Sequence, residues 1–253
     1  GDHRDLHSFP TRRSSDLFVR GVTWRGTVNA SQTPAMQAAQ NSAQVFLGIN
    51  LKCNSCHDSF ISHWKLREAY ALASFFTNEP LEIVKCDKGT GQMADTTFLY
   101  PELGSIDAKA AVEDKRAAAA RMFTAKQNGL FARTIVNRTW RLLFGRGLVE
   151  PLDEMEGPSW YPELLEWLAA DFVQHGYDMK YLLRTIVTSR TYQSQSVAAG
   201  NAHDQTYVFH GPWRRRISAE EFADAVASMT GEWRIRVDNR PVPGMYAREW
   251  RFK

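Results

Sequence analysis

Cysteine is scarce. Three in 253 residues are too few for a disulfide-stapled scaffold, so their spacing carries more information than their number. No apolar run approaches the roughly 18 residues that a membrane-spanning helix needs, because Arg, Glu or Gln interrupts each one. An excess of one charge is also lacking. The net charge is +3, from 31 Lys and Arg against 28 Asp and Glu, a balance too weak by itself to point to nucleic acid. With 43% hydrophobic and 23% charged residues the composition is ordinary for a globular chain, which excludes a collagen-like, mucin-like or wholly disordered protein. Aromatics are plentiful: eight Trp and 14 Phe supply material for a sizeable core, and the length fits one or two domains.

The first 17 residues stand apart. They show neither a helical nor an alternating apolar period and read as loop. His7 to Leu17 resembles the translated end of a sequencing-library adapter, so residues 1–17 are expected to be a non-native scar, disordered and packed against nothing. The chain opens without Met or a charged-then-apolar signal pattern, and its native start is expected upstream.

Helix signals dominate the rest. Thr33-Pro34 opens a helix whose Ala35, Ala39, Ser42, Phe46 and Ile49 share one face. A second helix covers about 65–77, with Leu66, Tyr70, Ala73 and Phe75 or Phe76 inward. The Gly- and Pro-rich stretch 78–107 reads as a long loop or linker. Asp107 is expected to cap an Ala-rich helix to about 125, followed by Leu130–Phe144 ending at Gly145, then helices opened by Ser159-Pro162 and by Asp178. Ser218-Ala219-Glu220-Glu221 is a capping box for a last helix with Phe222, Val226 and Met229 inward. No multi-strand pattern stands out. The expected fold is mainly α, two helical modules (18–80 and 107–253) joined by an irregular linker over 81–106.

One motif is chemically sharp. Cys53-Asn54-Ser55-Cys56-His57 is C-x-x-C-H, the attachment signature of c-type haem, and chance would produce it in about one such chain in a thousand. Two thiols at this spacing reach the two vinyl groups on one porphyrin edge, and the adjacent His57 becomes the proximal iron ligand. Two other chemistries stay open: a redox disulfide, or a zinc site completed by Cys86 and His63. Among distal or second-shell ligands His63 comes first, with Met93 and Met122 near and His175, His203 and His210 further off. Phe46, Trp64, Tyr70, Phe75 and Phe76 would either wall a porphyrin or close an ordinary helical core.

Several blocks carry a family resemblance. Phe46 to Lys52 running into the C-x-x-C-H, then Asp58 to Trp64 and Tyr70 to Phe76, form one set. Arg133 to Trp140, Leu143 to Val149, Pro162 to Ala169, Leu182 to Tyr192 and Trp213 to Arg216 form the other. Together they resemble the large planctomycete-type cytochrome-c-associated proteins, in which two adjoining domains of unknown function, 1549 and 1553, often accompany a separate cytochrome c domain. The resemblance implies an exported, periplasmic or surface protein with a redox or electron-transfer role, a fragment of a longer chain whose partner is an upstream cytochrome domain or another redox protein. A link to polysaccharide is a further implication. Where many relatives carry His-Pro-Phe-Asp after the motif, this chain has Ser59-Phe60-Ile61-Ser62, which removes a nearby His.

Rival functions rest on weaker signals. Asp153, Glu154 and Glu156 could serve as the paired acids of glycoside hydrolysis, though such residues are commonly solvated loop charges. The helices 161–175 and 178–189 with Arg214-Arg215-Arg216 have permissive helix-turn-helix spacing, yet both look core-facing, and no nucleic-acid partner is expected. The Arg run is expected to cover apolar helix surface and reach Asp153, Glu154 or Asp171.

Overall fold

The computed structural model describes residues 25–202, 204, 206–231, 236–237 and 240–241; the leader lies outside these. Helix α1 (Pro34–Ser42) starts where Thr33 Oγ1 accepts the Met36 N–H and proline fills the first position. It runs into one wider π-type turn, Ala43–Leu47, and stops at Gly48 with φ of 62°. Helix α2 (Leu66–Ala73) begins in a box in which Glu68 accepts the Lys65 N–H, and it continues as a tight turn, Ser74–Phe76. Four further helices follow: α3 (Val112–Phe123), α4 (Gly129–Phe144), α5 (Pro162–Gln174) and α6 (Met179–Val187). Helix α7 (Ala219–Thr230) opens in the expected Ser218–Glu221 box.

The expectation of a mainly α fold with an irregular linker is corrected here. Residues 81–106 contain an antiparallel hairpin, β1 (Glu82–Lys85) with β2 (Lys88–Met93), pairing Val84 with Gly89 and Lys85 with Lys88. A second short antiparallel pair, β3 (Arg236–Val237) with β4 (Arg240–Pro241), lies near the end of the chain. The content is mixed, though rich in helix. The first hairpin escapes sequence reading because its two turn residues, Cys86 and Asp87, take φ of 47° and 64°. A turn with both central residues left-handed usually announces itself with Asn-Gly or Gly-Gly. Here Cys-Asp occupies it instead.

Nor is the segment a spacer. Ile83, Ala94, Phe98 and Leu99 are buried in the same continuous core as α1, α2, α4 and α5. Aromatic contacts tie the parts together, Phe46 lying 5.6 Å from Phe123 and Phe98 meeting Phe123 edge-on at 4.9 Å. These T-shaped and tilted pairs are each worth about 1 kcal/mol beyond the area they bury.

Smaller differences have local causes. Helix α3 starts at Val112 because Asp107 accepts the Lys109 N–H in a turn of its own. Phe222 and Met229 of α7 are 60% and 79% exposed, so its expected inward face is turned out. The Arg run does not reach the expected acids: Asp153 is held by Arg138 at 2.9 Å, while Arg215 donates to the Leu142 carbonyl at the end of α4.

Helix α3 also carries a buried cation. Lys115 has no exposed surface, its Nζ donates to the Ala108 carbonyl at 3.2 Å, and burial pushes its ammonium below the usual lysine range. The unfolded chain therefore binds more protons than the folded one over the window ending near the free lysine value of about 10.4. Stability from this group rises with pH through that window. Lys115→Met is expected to raise stability at neutral pH by about 1 kcal/mol, since it removes the desolvation cost while filling similar volume. Urea titrations at neutral and alkaline pH check both parts: the advantage of the variant should shrink as pH rises.

Candidate functional site

The turn after Leu51 sets the geometry of the C-x-x-C-H loop. Leu51 is buried and anchors the loop, and Cys53–Ser55 forms one tight helical turn closed by the Cys56 N–H on the Cys53 carbonyl at 3.2 Å. Asn54 points inward and donates to the Trp64 carbonyl at 2.7 Å, so the loop is pinned from beneath. Cys53 is exposed, while Cys56 and His57 are half-buried.

His57 is oriented by its own backbone. Its Nδ1 lies 2.7 Å from the Asp58 carbonyl oxygen, which can only accept, so in the neutral ring Nδ1 carries the hydrogen and Nε2 the lone pair. The ring packs against Phe60 at 4.6 Å. Phe60 is 87% exposed, leaving an apolar ring beside the imidazole.

Cys56 looks the other way. Its thiol donates to Ser31 Oγ at 3.3 Å, and Ser31 donates to Asp87 Oδ1 at 2.9 Å at the hairpin turn. Tyr70, buried beneath, donates to the Ser55 carbonyl at 3.3 Å; burial and the nearby Cys56 and Asp87 hold its hydroxyl above the usual tyrosine value. Cys86 completes this group, its N–H donating to the Cys56 carbonyl at 3.1 Å. Sequence reading missed Ser31 and Asp87 entirely. They sit 56 residues apart, and neither carries a local signal.

The aromatics belong to the core. Trp64, Tyr70 and Phe75 are buried in the core, and Phe46 and Phe76 pack against it. His63 is exposed, stacked on Trp64 at 4.3 Å with Nδ1 3.8 Å from Glu156 Oε2. It lines a cavity of about 260 Å³, together with Trp64, Asp153 and Glu156, that takes in none of Cys53, Cys56 or His57. The structure thus brings Cys86 to the motif but takes His63 away from it. Among the described residues no group of three His, Cys, Asp or Glu is arranged to hold a metal ion.

The other distal candidates are dispersed. Met93 is exposed on β2, Met122 is buried on α3, His175 stacks on Tyr181 at 3.7 Å and His210 is exposed. His203 lies outside the described residues. Two of the three acids are engaged through their carboxylates, Asp153 with Arg138 and Gln44, and Glu156 accepting from Trp64 Nε1 and Tyr100, whereas Glu154 is exposed and only its backbone bridges to Ile49. Burial and the Glu156 carboxylate push the Tyr100 hydroxyl far above its ordinary value, so it stays a donor. Glu156 also borders a larger cavity of about 450 Å³, with Tyr100, Arg133 and Glu166.

A helix-rich chain with mixed strand content, carrying a C-x-x-C-H loop ahead of a second helical region, is the class these features define. Residues 115–250 match the family described as PSD1, protein of unknown function (DUF1553), and the chain belongs to it. Residues 5–80 match the neighbouring family described as PSCyt2, protein of unknown function (DUF1549), a match that extends over much of the leader. The two adjacent matches are the domain pair of the planctomycete cytochrome-c-associated proteins. No curated protein and no solved structure matches the chain. No helix among the described residues is long and apolar enough to cross a membrane.

Proposed function

We propose that the Cys53–His57 loop attaches haem c and that the chain serves electron transfer within an exported, cytochrome-associated assembly. The observation that carries this reading is His57: a hydrogen on Nδ1, held by the Asp58 carbonyl, leaves Nε2 as the free ligand nitrogen beside two thiols at haem spacing. The donor set suits the group; the surroundings suit it in a different way from a walled pocket. Exposed Phe60 would cover part of a flat apolar ring, and the core aromatics would stay where they are. Bound there, a haem would supply one-electron chemistry at its iron.

The chain's own residues would do the rest. Cys53 already faces outward, and Cys56 needs only a rotation about its single side-chain torsion to leave Ser31. Each thiol would add across a vinyl group, sulfur bonding one carbon and the thiol hydrogen going to its neighbour. The Asp58 carbonyl would keep the imidazole from turning, and would raise its basicity as a ligand. His63, engaged with Glu156, would remain outside the ligand set unless its ring left Trp64.

Expression in a host with a c-type maturation system tests this. Wild type should keep haem stain in a denaturing gel and give a pyridine haemochrome spectrum. Cys53→Ala with Cys56→Ala should abolish the stain, and His57→Ala should leave poorly matured, spectrally altered protein. Wild type that matures without stain and binds stoichiometric zinc would overturn the assignment.

A further inference from the structure

We infer that Cys56 and Cys86 oxidise to a disulfide that ties the hairpin turn to the C-x-x-C-H loop. The pairing expected from sequence alone would be Cys53 with Cys56. The fold favours a different one.

Three hydrogen bonds hold Cys56 and Cys86 side by side. The Cys86 N–H donates to the Cys56 carbonyl at 3.1 Å, the Cys56 thiol donates to Ser31, and Ser31 donates to Asp87 next to Cys86. The Cys86 sulfur lies over that same carbonyl oxygen at 3.8 Å. A direct N–H to carbonyl bond holds the two Cα atoms within about 7 Å, the outer limit that a disulfide spans. One side-chain rotation at each cysteine is what remains.

The backbone at Cys86 points the same way. A left-handed turn position normally takes Gly or Asn, and a side chain there is disfavoured. This chain places one of its three cysteines in it, with φ of 47°. The hairpin tip thereby presents an exposed sulfur 30 positions away in sequence from Cys56. Closing that long loop constrains the unfolded chain far more than closing a four-residue C-x-x-C ring, so the long-range disulfide is the harder one to reduce.

The chemistry balances with a disulfide oxidant such as oxidised glutathione. One protein thiolate attacks the glutathione S–S bond, forming a mixed disulfide and releasing one glutathione thiolate. The other protein thiolate then attacks the protein sulfur of that mixed disulfide, forming Cys56–Cys86 and releasing the second. Two electrons pass to glutathione, and the two thiol protons go to solvent. In the closed state Cys56 is withdrawn from the C-x-x-C-H set. The pairing rests on sulfur chemistry and belongs to the chain before haem is attached, since a thioether at Cys56 leaves no thiol to pair.

Peptide mapping of the full apo-chain tests it. The protein is incubated with oxidised glutathione, alkylated, digested with trypsin without reductant, and sequenced by electron-transfer fragmentation. Cleavage after Lys52, Lys65, Lys85 and Lys88 isolates peptide 53–65, with Cys53 and Cys56, from peptide 86–88, with Cys86. The expected major oxidised product is 53–65 joined to 86–88 through Cys56, formed in monomer and lost on adding dithiothreitol. Cys53→Ala should keep the link and Cys56→Ala should lose it. A Cys53–Cys56 ring as the major product, a link from Cys86 to Cys53, or no link at all would overturn the inference in wild type alone, without reference to the variants. Haem stain reads the other proposal separately, so failure of one leaves the other standing.

Discussion

Replacing Asn137 with alanine is expected to lower stability by about 4 kcal/mol, because it strands several buried backbone groups at once. Asn137 has no exposed surface. Its Oδ1 accepts from the Leu148 and Val149 N–H groups at 2.6 and 3.0 Å, and its Nδ2 donates to the Val149 carbonyl at 2.9 Å. One side chain on α4 thus stands in for a strand partner to the loop after Gly145. At about 2–4 °C per kcal/mol for a chain of this size, the melting temperature should fall by about 8–16 °C. Asn137→Asp should rescue little, since it keeps the acceptors but loses both donors and buries a charge. Asn50→Ala is the comparison: an exposed side chain with one bond to the Lys52 N–H, expected to cost under about 1 kcal/mol. Equal melting points for Asn137→Ala and Asn50→Ala would refute the bracing role.

Gly48→Ala should be nearly as damaging, at about 3 kcal/mol. Gly48 ends the first helical segment at φ of 62°, a conformation that costs a side chain roughly 1–2 kcal/mol. An added Cβ would run into the Met155 side chain and stand 3.0 Å from the Leu152 carbonyl oxygen, adding an overpacking cost of about 1–3 kcal/mol. Gly176 isolates the two effects, because it has φ of 64° and nothing within 4 Å of its would-be Cβ. Gly176→Ala should show the backbone cost alone. Denaturant midpoints for the pair check this, and a Gly48 variant no worse than the Gly176 one would remove the steric account.

These two positions also show what the sequence made legible. Helix starts announced by a side-chain acceptor, at Thr33, Asp178 and Ser218, lie where the residues placed them, since a cap is a contact within four residues. Helix α3 begins four residues later than its expected cap would place it, because Asp107 has two local uses, cap or turn, and only the surrounding chain decides between them. The hairpin was hidden by Cys86-Asp87, a turn pair with no statistical signature. Phe222 and Met229 fall on the periodic apolar face of α7 and yet are exposed, because periodicity gives a face and not a partner.

At the site the division is similar. The C-x-x-C-H spacing is a local pattern and can be read directly. The environment of Cys56 is not, because Ser31 and Asp87 reach it from 25 and 31 positions away. Nor could sequence decide between a porphyrin wall and a core for Trp64, Tyr70 and Phe75, since the same spacing serves both.

The joint at Gly48 has a consequence for how this chain can be divided. The Met155 N–H donates to the Gly48 carbonyl at 3.1 Å, Ile49 bridges to Glu154, and the Arg138 guanidinium donates to the Gln44 carbonyl at 2.7 Å and Asp153 at 2.9 Å. All but the Arg138–Asp153 pair cross from the part matched by one family to the part matched by the other. A gene cut anywhere between them would release two polypeptides with sticky, half-made interiors: the first would bare Phe46 and Trp64, the second Phe131 and Met155. Moving either half alone into a new protein would carry that liability along.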